Sequence, residues 1–168
     1  VVERGFDPEE ILRVLEAHEV RYVLIGGLAA TLHGSPHVTV DVDIAPDRDP
    51  SNLRRLARAL EDLEARIRVE GEPEGVAFDR SAEMLARISI LNLTTRAGAL
   101  DLAFEPAGTR GYDDLRRQAL EVDIRGVSIP VAALADVIRS KEAAGREKDR
   151  LTLPTLRRLL ERLEGRRP

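Results

Sequence analysis

The 168-residue chain has no cysteine and no tryptophan, one methionine, three phenylalanines and two tyrosines. The missing thiols exclude disulfide frameworks, thiolate zinc sites and cysteine nucleophiles together, which leaves oxygen ligands and hard cations as the accessible metal chemistry. Aromatic residues at 3% leave little with which to stack unpaired bases. Long apolar runs are missing too. The most apolar stretch, Tyr22 to Leu32, is broken by Gly26 and Gly27 and is shorter than the roughly 18 residues of a membrane span. No basic segment followed by an apolar one opens the sequence, so a cytoplasmic location without a membrane partner is expected. The length suits one well-buried core and not two ordinary domains.

Lysine is scarce: of 26 basic residues only Lys141 and Lys148 are lysines. The formal net charge of -4 is unevenly spread, because residues 139–168 hold ten Lys or Arg against five Asp or Glu, net +5, which leaves -9 for residues 1–138. The expected organisation is a core over residues 1–130 with a basic helical tail, 131–168, packed on it.

Asp7-Pro8-Glu9-Glu10 followed by Ile11, Leu12, Val14 and Leu15 predicts a capped amphipathic helix ending near His18. Tyr22 to Ile25 predicts a buried strand, Gly26-Gly27 a turn, and Leu28 to His33 a short helix stopped by Gly34-Ser35-Pro36. Val38 to Ile44 alternates, with Val38, Val40, Val42 and Ile44 on one face and Thr39, Asp41 and Asp43 on the other, the period of a half-buried strand. A helix from Asp49-Pro50 to about Leu63 follows, then a loop over residues 70–83 rich in Gly, Pro and acids. Ala86 to Thr94 and Ala99 to Phe104 predict a hairpin, followed by a helix near Tyr112 to Ala119 and a second hairpin through Arg125-Gly126. Two helices close the chain, Val131 to about Ala143 and about Thr155 to Leu163. This mixture predicts an α+β fold, a mixed sheet flanked by helices, with a C-terminal helical tail.

Two Asp-x-Asp pairs occur. Asp47-Arg48-Asp49 lies in a Pro-bounded loop where Asp49 is a helix cap. Asp41 and Asp43 instead share the polar face of an apolar strand, about 7 Å apart at the pleat repeat, a repulsive arrangement relieved by a cation between them. Two exposed carboxylates on an edge strand are the plainer alternative. Asp101, within Leu100-Asp101-Leu102-Ala103-Phe104, adds a third strand-borne carboxylate, which reads equally as a ligand or as a surface acid. Three converging carboxylates would give the oxygen cradle of Mg²⁺ or Mn²⁺ with room for water and phosphates. Gly26-Gly27 ahead of a helix lets the backbone approach a phosphate, although it also reads as a tight turn. His18, His33 and His37 are too scattered for a zinc set, Ser35 has no matched base and acid, and Asp149 reads as a helix-end or ion-pair residue.

The run Val23-Leu-Ile-Gly26-Gly27, about thirteen residues, then Thr39-Val-Asp41-Val-Asp43-Ile44 resembles the signature of the DNA polymerase β-type nucleotidyltransferase superfamily. Gly34-Ser35-Pro36 before Thr39 and the Asp pair, with Ile138 to Asp149, is most similar to the bacterial AbiEii/MenT-like group of toxin–antitoxin nucleotidyltransferases. The resemblance covers most of the chain except residues 70–83. It implies a nucleotidyltransferase fold, an NTP substrate, two Mg²⁺ ions, Asp41, Asp43 and Asp101 as catalytic ligands, and Lys141 and Arg146 near the phosphates. It places Gly26, Gly27 and Thr39 in the nucleotide site and implies a cognate antitoxin partner. His37 departs from the pattern, standing where those relatives commonly carry arginine.

Transfer of NMP from an NTP to an RNA end, a protein or a small molecule is therefore expected. A degenerate module that binds a nucleotide or partner without chemistry is the alternative, favoured by His37. A glycosyltransferase or phosphatase would need a nucleotide-sugar domain or a nucleophile-bearing parallel sheet of sufficient size. For the acceptor, Arg157, Arg158, Arg162, Arg166 and Arg167 lie on or beyond a helix whose Leu156, Leu159, Leu160 and Leu163 are expected to face the core. Those arginines would be available to a structured RNA such as a tRNA 3′ end, unless they pair with the acidic body. Lys141 is expected to face the site and Lys148 solvent.

Overall fold

The computed structural model describes residues 5–166. Helix α1 (Pro8–Ala17) opens the chain, its first turn capped by the Asp7 carboxylate, which accepts from the Glu10 amide. Strand β1 (Tyr22–Ile25) leads directly into α2 (Gly26–Leu32), so the two glycines are the first residues of the helix and not a separate turn. Then follow β2 (Asp41–Pro46), α3 (Pro50–Asp62), β3 (Arg66–Val69), β4 (Glu72–Val76), α4 (Ala82–Leu85), β5 (Ile90–Thr95), β6 (Gly98–Ala103), α5 (Tyr112–Arg116), β7 (Leu120–Ile124), β8 (Val127–Val131), α6 (Leu134–Ala144) and α7 (Glu147–Glu164). Asp49 caps α3 by accepting from the Ser51 and Asn52 amides, which accounts for the second Asp-x-Asp pair.

The eight strands form one mixed sheet in the order β4-β3-β5-β6-β2-β1-β8-β7. β2 pairs antiparallel with β1 and parallel with β6, and β1 pairs parallel with β8. This is the α+β arrangement expected. Helix α1 packs on β2, β6 and β8 and against α3, while α2 packs on β1, β2 and α6. Val42, Ile44, Leu91, Leu93, Leu100 and Leu102 are buried together with Leu53, Leu56 and Leu60 of α3. The alternation of the central strands therefore sends one set of side chains into the core and the other, Asp41, Asp43 and Asp101 among them, to the opposite face.

Three local expectations are corrected. Residues 38–40 are not strand: β2 starts at Asp41, and Val38 and Val40 are exposed, because β1 and β6 offer hydrogen-bonding partners only from Asp41 onward. Residues 70–83 are not a plain loop, since β3 and β4 form a hairpin there; β4 is an edge strand, where Pro73 costs no internal ladder bond. Helix α7 starts at Glu147 and runs through Pro154, its helical state held by burial of Leu153, Leu156 and Leu159. Leu160 is only partly buried and Leu163 is exposed, so the apolar stripe narrows toward the C-terminus.

Candidate active site

Strand register builds the site. Asp43 lies opposite Ile25 on β1 and Asp101 on β6, and Asp101 lies opposite Asn92 on β5, so Ile25, Asp43, Asp101 and Asn92 form one row across four strands. Asp41 is one pleat away on the same face. Carboxylate oxygens of Asp41, Asp43 and Asp101 all lie within 4.8 Å of one another.

The neighbours of these acids differ. Thr39 Oγ1 donates to Asp41 Oδ1 at 3.0 Å. Arg68 Nη2 lies 2.7 Å from Asp101 Oδ1 and 3.0 Å from Oδ2. Asp43 has no hydrogen bond or ion pair from the described residues. Burial first, then repulsion by Asp41 and Asp101, pushes the Asp43 carboxyl up to about 7. Burial likewise raises Asp101, against the opposing charge of Arg68.

Gly26 has φ +68°, and a Cβ on it would collide with the Asp43 carboxylate, while a Cβ on Gly27 would lie 3.0 Å from Thr39 Oγ1. The glycines are thus needed for close approach of α2 to the acidic row. Across the site, Gly145 adopts a left-handed conformation (φ 61°) and ends α6, its amide donating to the Lys141 carbonyl. The sharp exit starts α7 at once and folds Arg146 and Asp149 back onto Lys141. Asp149 is fully buried; it accepts from Lys141 Nζ at 3.1 Å and from Arg146 Nε at 2.7 Å. Burial pushes its carboxyl up, but these two cations hold it below the usual range. Asp149 is therefore the ion-pair residue expected.

A cavity of about 560 Å³ is lined by Gly26, Gly27, Thr39, Asp41, Asp43, Asp101, Lys141 and Arg146, which brings together the residues expected as metal ligands and as nucleotide contacts. It also holds Lys148, exposed but on the cavity wall, where its charge acts on Asp43 and Asp101. Lys148 thus faces the site together with Lys141, because the α6–α7 turn places both on one wall. Asn92 and Arg68 were not foreseen; Asn92 alternates with buried Leu91 and Leu93, which is a weak signal, and Arg68 gave none. The histidines lie apart: His18 meets Asp62, His33 meets the Ala132 carbonyl, and only His37 lines the cavity.

The model of a family described as nucleotidyltransferase of unknown function (DUF6036) matches residues 8–155. The chain belongs to that family. Among solved structures, this nucleotidyltransferase is similar to the lincosamide antibiotic adenylyltransferase LnuA, bound to lincomycin, with 18% identity and a TM-score of 0.60 over 92% of this chain and 99% of that one. It is also similar to a Thermotoga maritima protein assigned as a nucleotidyltransferase, with 19% identity and a TM-score of 0.55 over 92% of this chain and 90% of that one. At these identities the likeness is one of fold. No curated protein matches the chain.

Proposed function

We propose that this nucleotidyltransferase is metal-dependent and moves a nucleotidyl group from an NTP to a hydroxyl acceptor, using Asp41, Asp43 and Asp101. The observation that carries the reading is the convergence of three carboxylates from β2 and β6 in a cavity that Lys141, Arg146 and Lys148 also line. The donor set fits Mg²⁺ or Mn²⁺, being all oxygen and mutually repulsive, with Asp43 having no hydrogen bond or ion pair among the described residues. Such a cation, when bound, supplies Lewis-acid stabilisation of charge on the phosphates and the leaving pyrophosphate.

The residues of the chain then have separable tasks. Thr39 fixes Asp41, and Asp149 fixes Lys141 and Arg146. The cationic wall orients the triphosphate, while Asp101 takes the proton of the attacking hydroxyl. A bond forms from the acceptor oxygen to the α-phosphorus, and the bond from that phosphorus to pyrophosphate breaks. A binding module without chemistry, the rival favoured by His37, leaves the intact acidic row without a task.

Two acceptor classes have support. A structured RNA such as a tRNA 3′ end suits Arg158, Arg162 and Arg166, exposed on or after α7; Arg157 is tied to Glu142 at 2.7 Å, and Arg167 lies outside the described residues. In that reading the enzyme is a toxin of the AbiEii/MenT-like kind with an antitoxin partner, supported by the sequence resemblance. A specific observation favours a small hydroxylated molecule with an apolar face: Val38, Val40 and Ile90, 93%, 70% and 64% exposed, line the cavity with Ala103, Pro106 and Ala107. The fold neighbour LnuA is an antibiotic adenylyltransferase bound to lincomycin. Incubation with each labelled NTP, Mg²⁺ and a cell extract tests both. Label on RNA supports the first acceptor and label on small metabolites the second; no transfer with any NTP in a range of extracts overturns the enzymatic reading.

A further inference from the structure

Arg68 stands apart from every residue assigned a task above. It comes from β3, two strands away from β6, and its side chain crosses β5 to reach the acidic row. One nitrogen, Nη2, contacts both oxygens of Asp101, at 2.7 Å and 3.0 Å, while Nη1 donates to the Leu93 carbonyl at 3.3 Å. Asp101 is the only one of the three acids in direct ion-pair contact with a cation among the described residues; Lys148 and Arg146 act on Asp43 from farther away. The contact is less fixed than a two-nitrogen fork, since one nitrogen serves both oxygens and the Arg68 side chain is 38% exposed.

We propose that Arg68 is a resident counter-cation of Asp101 that competes with a divalent ion for the carboxylate and yields it when an anionic substrate draws the guanidinium away. The inference rests on the metal-dependent reading above. A carboxylate shared with a guanidinium offers less negative charge to a metal, so Arg68 keeps the acidic row from capturing metal tightly before substrate arrives. A guanidinium also binds phosphate oxygens as well as it binds carboxylates, so a triphosphate or its product is a suitable alternative partner. Arg68 is accordingly a positioning residue, acting through Asp101, and nucleotide and metal bind synergistically because of it.

The test is Mn²⁺ binding, followed by electron paramagnetic resonance of the free ion, without nucleotide. Arg68→Met should bind Mn²⁺ about tenfold more tightly than the wild type, the scale expected for removing a cation in contact with a partly exposed ligand. Arg68→Met combined with Asp101→Asn should lose that gain. Adding a non-hydrolysable NTP analogue should tighten Mn²⁺ binding more in the wild type than in Arg68→Met. Equal or weaker Mn²⁺ binding by Arg68→Met, with Mn²⁺ still bound by the wild type, overturns the competition and leaves the metal reading standing. No Mn²⁺ binding by either protein, with or without nucleotide, overturns the metal reading itself. If thermal melting shows Arg68→Met unfolded, Arg68→Lys replaces it; a less extensive contact predicts Mn²⁺ binding tighter than wild type, and unchanged or weaker binding rejects the proposal.

Discussion

Asp43 and Asp101 are register partners on the parallel strands β2 and β6, so two carboxylates leave the sheet side by side with Asp41 one pleat away. Three acids within 4.8 Å of one another repel, so the arrangement costs stability while no cation lies between them. The cost is visible at Asp43, whose carboxyl is pushed up to about 7 by burial and by its two neighbours.

That cost has a definite sign. Because the folded-state value is raised above the ordinary 3.8, the folded protein keeps a proton that the unfolded chain has released. The stability associated with protonated Asp43 is full below about pH 4 and lost as pH rises through 7. Metal-free protein should therefore melt at a lower temperature at pH 8 than at pH 5.5, once other titrations are removed by comparison with Asp43→Asn. That variant should be more stable than the wild type at pH 8, by on the order of 2 kcal/mol, yet inactive in transfer. Stabilisation of the wild type by Mg²⁺ should increase from pH 6 to pH 8. Thermal melts across pH, with and without Mg²⁺, measure all three.

Gly26→Ala should abolish transfer and Mn²⁺ binding. The φ of +68° disfavours a Cβ, and the added methyl would meet the Asp43 carboxylate. A stability loss of about 1–2 kcal/mol is expected from the backbone alone. Wild-type Mn²⁺ affinity in this variant would show that α2 does not need its close approach to β2.

Lys141 and Lys148 should separate by stability. Asp149→Ala leaves the nearly buried Lys141 without its partner and should cost about 3 kcal/mol as well as NTP affinity. Lys141→Ala should lower both quantities, since it removes one of the two cations that pair with a fully buried carboxylate and leaves only Arg146. Lys148→Ala should weaken NTP binding with a melting temperature close to wild type, because Lys148 has no ion pair among the described residues. Calorimetric NTP titration beside thermal melts makes the comparison.

The acceptor can be assigned by paired substitutions. With a small apolar-faced acceptor, Val38→Ser with Ile90→Ser should raise its KM at least tenfold and leave the NTP KM near wild type, an effect of the size expected for losing two apolar contacts. With an RNA acceptor, Arg158→Ala with Arg162→Ala should lower the rate instead, and added salt should lower it steeply. Initial rates at several salt concentrations decide between them.

The local pattern of the sequence was enough to find the acids. Strict alternation through Val40 to Ile44 and Leu100 to Leu102 placed Asp41, Asp43 and Asp101 opposite the apolar face, since a strand has a period of two whatever surrounds it. The Asp7 and Asp49 caps and the hairpin at Arg125-Gly126 were legible for a similar reason, being decided within a few residues, whereas Gly26-Gly27 reads as a turn and is instead the first two residues of α2. Val38 and Val40 continued the alternation and misled, because pairing in a sheet depends on a partner strand that the local sequence does not contain. Only the tertiary structure decided that β2 lies beside β6 in a register that brings Asp43 opposite Asp101, and that Arg68 reaches Asp101 from β3. It also decided that the turn at Gly145 sets Lys148 on the wall beside Lys141, with buried Asp149 holding Lys141 and Arg146. These relations join residues far apart in the chain or reversed by a single turn, and their energy comes from packing and charge pairing across elements, which no local periodicity records.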